Sequence, residues 1–369
     1  PTYGLTTRWG DPIAPPHLNG GDTMIGENEV THLDPDTKAL LKGDPLKGAH
    51  AYFAGSFREW WAPLRPHTSV TRRNALVGVH DKPSDFADRT VHEWTAEVFG
   101  APDHMLSAQL RLMIRTDRKT VEDKGDRGKN FGVEIEAYTD EQIADIAAAV
   151  AEAAERRRGP TPRYWEDVEE GDELGPLVKG PLRITDIVVW HTGVGMGLYG
   201  VKSLNLAHQQ RDRIPGFFRP DDLNIPDVHQ RVHWDSEWAR RAGSPATYDY
   251  GRMRETWLIH LCTDWMGDDA WLWKLDCEFR RFNYVGDTHW MRGRVNRRYL
   301  TDGERPAVDL EIWGENQRGE TTCPGHATVL LPSKEHGPVR LPEPPGGATT
   351  CAETLDALVH RFAEMEATP

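Results

Sequence analysis

Two kinds of hydrophobic spacing follow one another in the second half of the chain. In residues 251–266, apolar side chains recur every three or four positions, which is the spacing of one helical face, and Gly267 follows as a common helix-ending residue. In residues 271–279, apolar and polar side chains alternate, which predicts a strand with one buried face. Three more strand-like runs are separated by turn-forming Gly-containing pairs, at residues 288–299, 306–313 and 320–331. A helix followed by an antiparallel meander predicts an α+β unit whose sheet curls around the helix.

The first half of the chain repeats the same order of strands. Alternating patterns predict four strands, at residues 51–61, 69–80, 89–99 and 105–116. The pair Phe57-Arg58 matches Phe279-Arg280 of the later unit. We therefore predict a duplication, with a first unit at residues 1–117 that is incomplete at its start and a second unit at residues 159–335.

The remaining segments are predicted to connect or flank these units. Residues 118–158 combine a charged loop with a linker helix at 139–158, and residues 336–369 form a Pro/Gly-rich tail ending in a helix at 352–365. The apolar stripe of that last helix should dock on the body of the protein or on a partner chain. Residues 27–48 are predicted to be a surface excursion, and residues 184–190 a strand.

Composition narrows the class of protein. A length of 369 residues is enough for two ordinary domains, and a formal net charge of −14 argues against a nucleic-acid partner. The four cysteines have no Cys-x-x-Cys spacing, which favours reduced thiols in a cytoplasmic protein over disulfides or a metal site. No run approaches the roughly 20 apolar residues of a membrane span, so we expect no membrane association.

One constellation carries a family resemblance. The sequence has His233-Trp234-Asp235, then Gly243 and, further on, Gly251 at the start of an apolar helix that ends in Thr-Asp-Trp. This order and spacing resemble the MaoC-like hydratase/dehydratase family. The resemblance implies a double hot-dog fold, (R)-specific hydration of an enoyl-CoA, an acyl-CoA ligand and no cofactor.

The resemblance also implies residue roles. In the family, an Asp and a His five positions apart transfer protons, and the backbone N–H of the helix-opening Gly binds the thioester oxygen. His233 and Gly251 fall on the His and Gly positions, but Val228 stands at the Asp position, so Asp227 is the replacement candidate. From the residues alone, His233 could instead tie a loop together, and Gly251 could be needed for close packing.

Four further residues are candidates for substrate contact: Tyr250, Arg252, His191 and Trp234. Arg252 and Arg254 oppose the helix dipole at the predicted helix start, which an anionic ligand or nearby Asp/Glu partners would explain. The chain has 14 tryptophans, and some of them are candidates for lining an aromatic acyl pocket suited to a ring-containing substrate.

Other functions remain open at this stage. The displaced Asp favours a catalytically silent acyl-CoA-binding subunit as the main alternative, and a thioesterase on the same fold is another. Residues 195–200 satisfy Gly-x-Gly-x-x-Gly, but no strand-helix alternation surrounds them, so a dinucleotide site is disfavoured. We expect a homo-oligomer, with a partner subunit possible.

Overall fold

The computed structural model describes residues 8–10, 12–18, 49–84, 88–116, 133–135, 137–193, 211 and 218–367. The first four strands are β1 His50–Trp60, β2 Thr71–Ser84, β3 Asp88–Gly100 and β4 Met105–Thr116. The later strands are β5 Glu173–Lys179, β6 Phe218–Pro220, β7 Pro226–Val228, β8 Trp271–Glu278, β9 His289–Leu300, β10 Pro306–Asn316 and β11 Thr321–Leu330. The helices are α1 Asp140–Glu155, α2 Ile184–Gly193, α3 Ser236–Arg241, α4 Gly251–Met266 and α5 Cys351–Ala367.

Within the described residues, nine strands form one antiparallel sheet in the order β2-β3-β4-β1-β8-β11-β10-β9-β5. The order β2-β3-β4-β1 of the first four strands is matched by β9-β10-β11-β8, so the same arrangement occurs twice. Strands β1 and β8 join the two sets, with Ser56 opposite Cys277. We call β1–β4 the first unit, and α4 with β5 and β8–β11 the second unit. The α+β architecture predicted from the sequence is confirmed.

Helix α4 forms the core of the second unit. Its side chains are buried around most of its circumference, including Trp257, Leu258, Leu261 and the polar Glu255. Gly267 follows with φ 77°, a backbone conformation that glycine adopts without a Cβ clash, and it ends the helix as the sequence predicted. The second-unit sheet covers this helix, so its N-terminal turn is held rigidly beside the first unit.

Helices α1 and α5 pack on the sheet at different places. A capping box between Thr139 and Gln142 starts α1, which buries Ile146 and Ala153. In α5, Leu358 and Phe362 are buried against the first unit, where Phe362 lies 5.5 Å from Trp94 between ring centroids. The last helix therefore docks on the body of this chain.

The strand predicted at residues 184–190 is wrong, because this segment is helix α2. Its Ile and Val residues favour strands locally, but the buried positions Ile187 and His191 are four residues apart, as on one helical face. The Asp186 carboxylate accepts hydrogen bonds from the Arg183 backbone N–H and side chain at the helix start. Tertiary burial has thus overridden β-propensity.

Cys262, Cys277 and Cys323 are buried free thiols, and Cys351 is a partly buried one. Among the described residues, no helix is both long and apolar enough to cross a membrane. Three predicted segments lie outside the described residues. They are the surface excursion at 27–48, the charged loop at 118–130 and the glycine motif at 195–200.

Candidate functional site

His233 lies at the end of a short 3-10 helix, His229–His233, and faces the strand-like segment before α4. Its Nδ1 is 2.8 Å from the carbonyl oxygen of Tyr248. Because a carbonyl only accepts, Nδ1 carries the proton, and Nε2 of the neutral ring has a free lone pair. The hydrogen bond therefore fixes both the tautomer and the orientation of the imidazole.

The surroundings of His233 keep it neutral. Burial lowers the pKa of His233 to about 3, and the hydrogen bond to Tyr248 only partly opposes this effect. The Tyr250 ring lies 3.8 Å from the His233 ring between centroids. At ordinary pH the imidazole is therefore neutral and its Nε2 can accept a proton, although a pKa of about 3 makes it a weaker base than an ordinary histidine.

Gly251 begins α4, and Tyr250 is the N-cap residue without a side-chain cap. The backbone N–H of Gly251 has no acceptor among the described residues, as expected for the first turn of a helix. A Cβ at this position would lie 3.0 Å from the Phe53 carbonyl oxygen and 3.0 Å from the Phe279 ring. Close packing therefore favours glycine at this position, and its N–H remains available at the positive end of the helix dipole.

Both groups line one cavity between the two units. The cavity has a volume of about 790 Å³ and is bounded by Phe53, Arg111 and Met113 of the first unit and by His233, Tyr250 and Gly251. Its other aromatic walls come from Tyr and Phe side chains. None of the tryptophans is among the lining residues, so the aromatic pocket expected from tryptophan does not occur in this cavity.

The cavity is basic although the chain is acidic. Basic side chains along its walls and mouth are Arg72, Lys82, Arg111, Arg252, Arg280 and Arg281, with Arg254 beneath them. Among the described residues, Asp249 is the one carboxylate that lines the cavity. The six arginines pair with five carboxylates, those of Glu97, Asp249, Glu255, Glu278 and Glu320. The remaining positive charge is therefore smaller than the number of lining arginines, but in a chain of net charge −14 this local surplus still favours an anionic ligand.

Arg254 has a protein partner that the sequence interpretation did not identify. Its Nε donates to Asp249 Oδ2 at 3.0 Å, and its Nη1 donates to the Arg281 carbonyl at 2.7 Å. Burial raises the pKa of Asp249 to about 6, although Arg254 and Asn283 counteract it. Asp249 immediately precedes Tyr250-Gly251 and is close in sequence to Arg252 and Arg254. This proximity of an acidic residue to two basic ones is the sequence feature from which the ion pair could have been predicted.

Arg252 belongs to a second buried network, which joins the two units. Glu255, one turn further along α4, accepts from Ser56 and from Arg58 Nε at 2.9 Å, both on β1. Arg252 Nε lies 3.9 Å from the other Glu255 oxygen. The Arg58 and Glu255 side chains are 2% and 1% exposed, so this ion pair is almost free of solvent screening.

The other sequence candidates lie around the cavity rather than in its wall. His191 stacks on Tyr250 at 5.3 Å between ring centroids, and Trp234 meets His191 edge-on at 5.6 Å. Asp227 is on β7, where its carboxylate accepts from the Val228 N–H and lies 4.0 Å from Arg231. Asp227 is 42% exposed and is not among the residues that line the cavity.

No protein-family model and no curated protein matches the sequence. Among solved structures, the chain is similar to a MaoC-like dehydratase with a TM-score of 0.52 and 14% identity, covering 90% of this chain and 86% of that one. It is also similar to R-hydratase PhaJ1 from Pseudomonas aeruginosa, with a TM-score of 0.34 and 14% identity, covering 47% and 88%. The (R)-hydratase from A. caviae involved in PHA biosynthesis aligns with a TM-score of 0.32 and 17% identity, covering 45% and 99%. The chain thus shares the MaoC-like hot-dog fold.

Proposed function

We propose that the protein is a hydratase/dehydratase that interconverts 2-enoyl and 3-hydroxyacyl thioesters, with CoA as the thiol. The observation that carries this proposal is the presence, in one cavity, of a neutral His233 and the free N–H of Gly251 at a helix start. A base for water and a donor for a thioester oxygen are the two groups that this reaction requires.

In the hydration direction, His233 Nε2 takes a proton from water while the water oxygen bonds to Cβ of the enoyl group. The electron pair of the double bond moves towards the thioester, and the negative oxygen of the enolate accepts a hydrogen bond from Gly251 N–H. The His233 imidazolium then returns the proton to Cα as the carbonyl re-forms. The sum is the addition of one water molecule.

Two features around His233 support this cycle. The Tyr248 carbonyl continues to accept from Nδ1 in both protonation states, so the ring keeps its orientation. The face of Tyr250 lies against the ring and offers cation–π stabilisation to the transient imidazolium. We assign both proton transfers to His233, because Asp227 does not line the cavity.

Exposed arginines of the cavity lining suit the thiol part of the substrate. Arg280 and Arg281 are 64% and 48% exposed and pair with Glu278 and Glu320, and we propose that they also meet the CoA phosphates. Binding of an acyl-CoA without turnover is the second candidate, favoured by the distance of Asp227 from the cavity wall.

Enoyl-thioester absorbance tests the proposal across a panel of aliphatic, carboxylated and ring-containing acyl-CoAs. If the protein is a hydratase, the absorbance should fall when an enoyl-CoA is the substrate. It should rise when an (R)-3-hydroxyacyl-CoA is the substrate. Saturable binding without any absorbance change across the panel would instead support the binding role.

The pH dependence of hydration should reflect the low pKa of His233. Since the base form of a group with a pKa of about 3 persists at all higher pH values, kcat/KM is expected to be flat between about pH 5 and 8. An ordinary histidine would give an acid limb near pH 6.5. Steady-state kinetics in constant-ionic-strength buffers measure this, and an acid limb with a pKa between about 6 and 6.5, from either an ordinary His233 or Asp249, would contradict the expectation.

A further inference from the structure

Two arginines of the first unit share one buried carboxylate beside the cavity. Arg72 Nη2 lies 2.6 Å and Arg111 Nη2 lies 3.3 Å from the same Oε1 of Glu97. Glu97 is 3% exposed, whereas Arg72 and Arg111 are 38% and 30% exposed and line the cavity. Two guanidiniums on one carboxylate leave one positive charge in excess.

Arg111 also has unused hydrogen-bonding capacity. Its Nε is buried and has no hydrogen-bond partner in the part of the chain that the structure describes. A buried donor without an acceptor is costly, so this side of the guanidinium does not neutralise its charge. The 30% of the Arg111 side chain that is exposed is the part that a ligand oxygen can contact. Glu97 fixes the guanidinium in place, so little side-chain entropy is lost when an anion binds.

Strand register places this cluster near the thioester site. Arg111 on β4 is directly opposite Ser56 on β1, and Ser56 contacts Glu255 in the first turns of α4. Met113, two residues along β4 on the same face, is opposite Phe53, whose carbonyl adjoins Gly251. Alternate residues of a strand lie about 7 Å apart on the same face. Arg111 is therefore one such step along β4 from Met113, and both line the same cavity as Gly251.

We propose that Arg72 and Arg111, held by Glu97, form an anion site that binds a carboxylate at the far end of the acyl group. The substrate class is then the monothioesters of short dicarboxylic acids. This inference rests on the proposed function for the position of the thioester. The CoA phosphates are the other source of anionic oxygens, but they are at the opposite end of the ligand from the acyl carbons.

Saturated thioesters of N-acetylcysteamine test the site without requiring turnover, because they have neither phosphates nor a double bond to hydrate. Calorimetry would compare the succinic and glutaric monothioesters with the butyric and valeric thioesters, using wild type, Arg111→Gln and Arg72→Gln. Arg294→Gln is the matched control, since Arg294 pairs with Glu311 on the second unit and does not line the cavity.

Wild type and Arg294→Gln are expected to bind one of the carboxylated ligands about 10-fold or more tightly than its methyl-ended counterpart. Arg111→Gln should abolish this preference and change binding of the methyl-ended ligand by less than about 3-fold. Arg72→Gln provides the same test if Arg111→Gln does not fold. Equal wild-type affinities for both ligand types, or a preference for the carboxylated ligand that survives in Arg111→Gln and Arg72→Gln, would overturn the proposal while leaving the hydratase proposal to be judged by turnover.

Discussion

Replacing His233 with alanine is expected to lower kcat/KM for enoyl-CoA hydration by about 10²- to 10⁴-fold, the usual contribution of a positioned general base. The variant removes the Nε2 lone pair that the Tyr248 hydrogen bond orients. Because the binding groups are retained, the loss should fall mainly on kcat. Stopped-flow or steady-state measurement of enoyl-thioester absorbance gives both constants.

Two further variants make this result specific. His326→Ala is the control, because His326 is 66% exposed, pairs with Asp276 and does not line the cavity, so its kcat/KM should stay close to that of wild type. Asp227→Asn tests the role expected from the family resemblance. A loss in Asp227→Asn comparable with that in His233→Ala would show that two residues share the proton transfers and that our single-base assignment is wrong.

The largest effect on stability is expected for Glu255→Gln, at about 3–5 kcal/mol of unfolding free energy. The substitution keeps the shape of the side chain but leaves the buried Arg58 without its charge partner. It also weakens the contact between α4 of the second unit and β1 of the first. Urea denaturation measures the change, and Glu311→Gln is the matched control, because the Arg294–Glu311 pair is 58% and 37% exposed and should contribute about 1 kcal/mol or less. Equal losses in the two variants would contradict the assignment of the buried network as a major stabilising contact.

The pH dependence of stability should follow the same carboxylate. Burial alone would raise the pKa of Glu255, but Arg58 and Arg252 outweigh it and the pKa is lowered. A carboxyl whose pKa is lower in the folded state stabilises that state above its unfolded pKa of about 4.3, and this contribution is lost as the pH falls through the folded value. Glu255→Gln should therefore flatten the acid side of the stability profile.

Much of the fold was predictable because its signals are local. Alternation with a period of two indicated the strands of both units, and the four-residue spacing of Trp257, Leu261 and Trp265 indicated α4. The error at α2 has a physical reason, since Ile and Val favour a strand until the burial of Ile187 and His191 decides for a helix. The hydrophobic pattern of a short segment does not indicate which of its side chains a neighbouring helix or strand will bury.

The site was only partly predictable for a similar reason. His233 and Gly251 could be proposed from one stretch of sequence, and the structure places both on one cavity. The partners of Arg254 and Arg252, Asp249 and Glu255, are near them in the sequence, but the pairing of Glu255 with Arg58 of β1 depends on tertiary packing. Arg72, Glu97 and Arg111 come from three different strands, so only strand register brings them together.

Product analysis in ¹⁸O-labelled water is the most direct test of the central claim. An enoyl-CoA is incubated with the protein, and the products are resolved by mass spectrometry. We expect an intact thioester that has gained one labelled water molecule, and about 10²-fold or more slower formation of this product with His233→Ala. Release of free CoA would indicate a thioesterase, and unchanged enoyl-CoA across the acyl panel would contradict a hydratase.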